Sequence, residues 1–135
     1  TPLRSSAASD VYKRQVTVKP YFLDDQSSPQ ESHFVWAYQV NIKNSGNSSI
    51  KLNHRNWLII DAHGKVINVQ GEGVVGEFPT IEPGESFEYT SGTPLKTNNG
   101  IMQGFYLVSQ DNGEKLKIDI PAFSLDSPYS KKNVH

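Results

Sequence analysis

The sequence predicts an all-β fold in which two antiparallel sheets pack face to face as a sandwich. From residue 16 onward, apolar residues alternate with polar ones, which is typical of strands with one buried face. No helical period is longer than a single turn, and clusters of Gly, Pro and Asn separate about seven short segments. These observations favour a β-sandwich, with a small barrel as the alternative.

The composition fits one globular domain and argues against several classes of partner. The chain has 135 residues, of which 36% are hydrophobic, and a net charge of -1. Because 13 basic residues nearly balance 14 acidic ones, no electrostatic field attracts nucleic acid. No apolar run approaches the roughly 20 residues that span a bilayer. We therefore expect a cytoplasmic protein with neither a nucleic-acid nor a membrane partner.

Pattern and composition divide the chain into three parts. Residues 1–15 show no strand or helix period and are interpreted as a disordered or non-native leader, with no apolar region typical of a signal peptide. Residues 16–126 form the predicted domain. Residues 127–135 are predicted to be a flexible tail.

The first half of the domain contains the clearest strand. Residues 34–42 place large apolar side chains at every second position. The preceding strand, 16–22, contains Pro20, which predicts an edge position or a bulge. Residues 50–60 alternate except around His54, where we expect a bulge. Residues 66–69 then continue into a glycine-rich loop.

The second half contains three further strands. Residues 87–90 are predicted to form a strand that ends at 91–94, where Gly and Pro occur together. Residues 102–109 are mostly apolar on both faces, which indicates a central strand. Asp111-Asn112-Gly113 predicts a hairpin turn into residues 115–120, and Pro121 is expected to end the last strand.

The glycine-rich loop, residues 71–77, has the spacing G-x-G-x-x-G of a nucleotide-binding loop. Its surroundings disagree with that interpretation, because Pro79 and Pro83 leave no room for the helix that would face a pyrophosphate. No Lys followed by Ser or Thr comes after the glycines, which excludes a P-loop. The glycines are better explained by a tight, exposed loop between strands.

No set of residues in the sequence points to catalysis or to metal binding. The four histidines lack the short spacing of metal ligands, and no Gly-x-Ser-x-Gly elbow is present. The glutamates between residues 72 and 88 are best explained as solvated loop charges. We therefore expect no enzyme activity, no cofactor and no metal site. Trp57 is predicted to lie in the core.

Five separate motifs occur in order at residues 26–29, 54–61, 71–77, 83–92 and 120–123. Together they resemble those of the ApaG (CorD) family, and the resemblance covers about residues 16–125. It implies an immunoglobulin-like or fibronectin type III-like antiparallel β-sandwich without established catalytic residues. It also implies an association with cobalt tolerance and magnesium efflux. Because the domain is reused beside unrelated partners, the resemblance favours a protein-interaction module. Asn56 and Val134 depart from the family pattern.

The expected binding surface is the glycine-rich loop with the flanking Phe78, where the apolar side chains of Val74, Val75 and Phe78 should be exposed. The alternative is that they fold back onto one end of the sandwich. His54 and Arg55 are expected to form one wall of a groove on an exposed sheet face. The predicted contact residues are Gly71, Glu72, Gly73, Val74, Val75, Gly76, Phe78, His54 and Arg55.

Two further possibilities stay open at this point. One is a small-anion or nucleotide-phosphate sensor, in which the amides of Gly71, Gly73 and Gly76 form an anion-binding nest. The other is a weak homodimer through the edge strand at residues 16–22, although Pro20 argues against a long pairing. The protein partner itself is not identified by the sequence.

Overall fold

A computed structural model describes residues 14–130, and it contains eight strands and two short 3-10 helices. The leader prediction for residues 1–13 and the tail prediction for residues 131–135 lie outside the described residues. The helices are Asp24–Gln26 and Pro29–Glu31. The strands are β1 (Arg14–Phe22), β2 (Phe34–Asn44), β3 (Ile50–Asp61), β4 (Val66–Glu72), β5 (Thr80–Ile81), β6 (Ser86–Leu95), β7 (Gly100–Gln110) and β8 (Lys115–Leu125).

The strands form two antiparallel sheets, which confirms the predicted β-sandwich. One sheet has three strands in the order β1-β2-β6, and the other has five, in the order β4-β3-β7-β8 with β5 paired to β3. β1 lies against β8 and closes one side of the sandwich. The opposite side is bordered by β4 and β6, each of which pairs on one side only among residues 14–130.

The core lies between the sheets and is built from the alternating positions of both. In β2 every second side chain, from Phe34 to Asn44, is buried. The largest fully buried side chains are Trp36, Trp57 and Tyr106. The rings of Tyr38 and Trp57, from opposite sheets, meet edge to face with centroids 5.3 Å apart. The prediction that Trp57 lies in the core is confirmed.

Several strand ends differ from the predicted ones, and prolines account for two of them. β6 continues through Pro94 and β8 continues through Pro121. Both are edge strands, where a missing N–H is tolerated, and the β7–β8 register shifts next to Pro121. Among residues 14–130, no helix is long and apolar enough to cross a membrane.

The domain also extends beyond both predicted boundaries. β1 begins at Arg14, inside the predicted leader, because the Arg14 guanidinium is buried and bonded to Asn44 at 3.1 Å. At the C-terminal end, residues 127–130 form a packed turn where a flexible tail was predicted. Ser127 is buried, and the ring of Tyr129 lies 6.0 Å from that of Phe22.

Candidate functional site

The glycine-rich loop ends in a tight two-residue turn. Val74 and Glu77 exchange backbone hydrogen bonds of 2.8 and 2.9 Å, so Val75 and Gly76 form the tip. Their φ angles, 42° and 80°, are both positive, as a type I′ turn requires. Glycine adopts this conformation at little cost, whereas Val75 is β-branched and rarely does. The tip of the loop is therefore strained at Val75.

The three apolar residues of the loop have different surroundings. Val74 is fully buried in the core, so the expectation that it is exposed is wrong and the fold-back alternative holds for this residue. Val75 and Phe78 are 51% and 49% exposed, as predicted. The Lys51 ammonium lies 6.0 Å from the centroid of the Phe78 ring. One apolar residue thus anchors the loop while two face solvent.

Arg55 reaches into the loop from the neighbouring strand. Its Nη1 donates hydrogen bonds to the carbonyl oxygens of Glu72 and Gly73, both at 3.0 Å. A Cβ atom at Gly71 would lie 2.7 Å from the guanidinium, so the absence of a side chain there leaves room for Arg55. The loop is therefore held by a charged group as well as by Val74.

The predicted groove wall of His54 and Arg55 is wrong. β3 has a register shift between Leu52 and His54, which confirms the predicted bulge. Past the bulge, Arg55 shares its face with Trp57 and Ile59, which are buried in the core. His54 points to the opposite face because adjacent side chains in a strand alternate. The two side chains are therefore not brought together.

Three buried tyrosines are influenced by the charge of Arg55. The hydroxyls of Tyr89 and Tyr106 are hydrogen-bonded to each other across the two sheets. Burial raises the pKa of Tyr38, Tyr89 and Tyr106, and the positive charge of Arg55 opposes this rise in part. All three hydroxyls are therefore protonated at neutral pH. The strand period predicts buried rings here, but no sequence signal predicts that their hydroxyls converge.

The proposed anion-binding nest is not formed in this conformation. The amide of Gly73 donates to the carbonyl of Asn53 at 2.9 Å, so it is not available to an anion. The amides of Val74 and Glu77 are used within the turn, and the carbonyls of Glu72 and Gly73 face Arg55. Within residues 14–130, no group of three or more His, Asp or Glu side chains is placed to hold a metal ion.

Two packed antiparallel sheets with this strand order define a β-sandwich of the fibronectin type III-like class. A family model described as "ApaG domain" matches residues 24–110. The chain is 54% identical over 121 residues to protein ApaG of Paramagnetospirillum magneticum, and the match covers 90% of this chain and 93% of that protein. It is 52% identical to protein ApaG of Parvibaculum lavamentivorans, over 89% of this chain and 92% of that protein.

A solved structure agrees with the sequence comparison. A crystal structure from Bordetella pertussis, described as an ApaA protein, superimposes with a TM-score of 0.83 at 40% identity. The match covers 87% of this chain and 95% of the Bordetella chain. The chain belongs to the ApaG family.

Proposed function

We propose that this protein is a non-enzymatic protein-interaction module that acts in the cytoplasm and contacts its partner through the glycine-rich loop. The observation that carries the proposal is the conformation of Val75, which is half-exposed and holds a positive φ of 42°. Strained backbone at an exposed apolar residue is typical of sites where the conformation serves a function. A turn without a function at this position is better served by Asn or Gly.

The support of the loop fits the same role. Val74 is buried beneath the tip, and Arg55 bonds two loop carbonyls. A loop held in this way presents Val75 and Phe78 without a large ordering cost on binding, which favours affinity. Exposed apolar side chains on a rigid loop are candidates for contact with another protein.

The non-enzymatic part of the proposal is supported by the bonding of the polar groups near the loop. The hydroxyls of Tyr89 and Tyr106 bond each other, and the Arg55 guanidinium bonds the loop backbone. Arg55 holds the loop and the two hydroxyls hold each other, so none of these groups is paired with the base that proton transfer needs. In this proposal, the link with cobalt tolerance and magnesium efflux that the resemblance implies acts through the partner and not through a bound ion.

Site-specific crosslinking tests the proposed surface. A photoreactive amino acid at position 78 should capture a partner in an extract of the native host, and the purified partner should then bind the isolated protein. Tyr21, which is 51% exposed on β1 at the closed side of the sandwich, provides a matched control position. Equal capture at both positions would contradict the proposal. Saturable heat on titration with pyrophosphate would favour the anion sensor instead.

A further inference from the structure

An apolar cleft opens between the two sheets on the side bordered by β4 and β6. Its volume is about 260 Å³, and Ile67 of β4 and Pro94 and Leu95 of β6 supply its apolar lining. The cleft lies at the Val66 end of β4, while the glycine-rich loop follows the other end of that strand. It is therefore separate from the surface proposed above.

The rim of the cleft carries an excess of positive charge, because two lysines and one aspartate line it. Lys65 and Lys96 line it and are exposed, and neither ammonium is within 4.0 Å of a carboxylate in the described part of the chain. The acidic residue of the rim, Asp61, is bonded to backbone amides and offsets part of the charge of Lys65. Its carboxylate accepts hydrogen bonds of 2.9 Å from the amides of His63 and Lys65, and these hydrogen bonds lower its pKa. The rim therefore favours a ligand that brings its own carboxylate.

The β4 edge beside the cleft has backbone groups available for a further strand. The carbonyl of Lys65 accepts a hydrogen bond from the amide of Asp61. The backbone N–H and C=O groups of residues 65, 67, 69 and 71 therefore face β3. The N–H and C=O groups of Val66, Asn68 and Gln70 then point to the open side. Among residues 14–130, no strand pairs with them. β4 itself contains no Lys or Pro to block an added strand.

We propose that the β4 edge binds an extended peptide as an added strand, with an apolar side chain in the cleft and an acidic residue at Lys65 and Lys96. The open backbone groups fit a peptide main chain, and the cleft fits a side chain on the inner face of the added strand. The excess of positive charge of Lys65 and Lys96 over Asp61 fits a flanking carboxylate. This inference rests on the proposed interaction role and assigns it a second site and a class of partner.

Two synthetic peptides test the charge requirement. Both are labelled extended segments of alternating Val and Thr, one ending in Glu-Glu and its twin ending in Lys-Lys. Fluorescence anisotropy should show saturable binding of the acidic peptide that weakens with added salt. The double variant Lys65→Glu, Lys96→Glu should bind it about tenfold more weakly or worse. Equal binding of both peptides would overturn the proposal.

Amide hydrogen exchange tests the edge itself. The acidic peptide should protect the amides of Val66, Asn68 and Gln70. Asn68→Pro removes one outward N–H without removing a bond to β3, so it should fold and lose peptide binding. A thermal melt checks its folding, and Asn68→Thr, which keeps the N–H, is the control for loss of the amide side chain. Unprotected β4 amides in the saturated complex would overturn the proposal.

Two further results separate this inference from the loop proposal and from self-association. Phe78→Ser should leave peptide binding unchanged. If it does so while crosslinking at position 78 fails, only the loop surface is refuted. Concentration-dependent protection of the β4 amides without peptide would show that a second copy of the chain occupies the edge, and it would overturn the peptide proposal.

Discussion

Replacing Val75 with Asn should stabilise the protein. Val75 holds a φ of 42° in a turn whose other central residue, Gly76, has a φ of 80°. The left-handed conformation costs an ordinary residue roughly 1–2 kcal/mol, and Asn adopts it more readily because its short side chain bonds to the local backbone. Asn-Gly is also the preferred pair for a type I′ turn.

The expected gain follows from the exposure of the side chain. Val75 is 51% exposed, so truncating its apolar surface removes little core packing. The relief of strain should then dominate and raise the free energy of unfolding by about 1 kcal/mol. For a domain of this size, that gain corresponds to a rise in Tm of about 4 °C.

Thermal and denaturant unfolding of matched variants check the value. Val66→Asn is the control, because Val66 is also exposed, at 57%, and has no positive φ. It should be neutral or destabilising, since Asn is a poor strand residue. If Val75→Asn lowers the Tm, or if both variants change it equally, the strain argument is refuted. If Val75→Asn stabilises the protein and weakens partner capture, the strain is part of the contact surface.

Three further substitutions have defined outcomes. Gly104→Ala should destabilise the protein by at least about 2 kcal/mol in urea unfolding, because the new Cβ would lie 2.1 Å from the carbonyl oxygen of Asn56. Arg55→Ala should cost about 2 kcal/mol and speed amide exchange in the loop, and Arg55→Lys should restore only part of this; unchanged exchange would refute the role of Arg55 in holding the loop. Burial raises the pKa of Tyr106, so its contribution is complete below the unfolded pKa and falls as pH rises above it. Tyr106→Phe should therefore reduce the loss of stability above pH ~10 by about 1.4 kcal/mol per pH unit, with Tyr21→Phe as the exposed control.

The sandwich could be predicted because its strands carry a strict period of two. In β2, the apolar alternation from Phe34 to Ile42 matches the observed burial, whereas the burial of the polar Asn44 was not predicted. The central position of β7 also follows from its apolar residues on both faces. Prolines were less informative, since Pro94 and Pro121 occur within edge strands and the sequence does not show which strands are edges.

The candidate site was only partly predictable, and the reasons are local. A bulge moves every following side chain to the other face, so the bulge at His54 places Arg55 on the inner side of β3. The period of the strand alone does not reveal the new contact with the loop. Val74 lies in a turn, where no period distinguishes an inward side chain from an outward one. Its burial depends on the bond from Gly73 to Asn53, which draws the loop back against β3.

The hydrogen bond between Tyr89 and Tyr106 has a consequence for how the two sheets are aligned when they pack. The residues belong to β6 and β7, which lie in different sheets. A slip of one residue in either strand would turn a hydroxyl to the opposite face, and a slip of two would move it by about 7 Å. Either error leaves at least one buried hydroxyl without its partner, which costs about 1–3 kcal/mol. Apolar contacts alone tolerate many stackings of similar sheets, whereas this bond selects a single one during assembly.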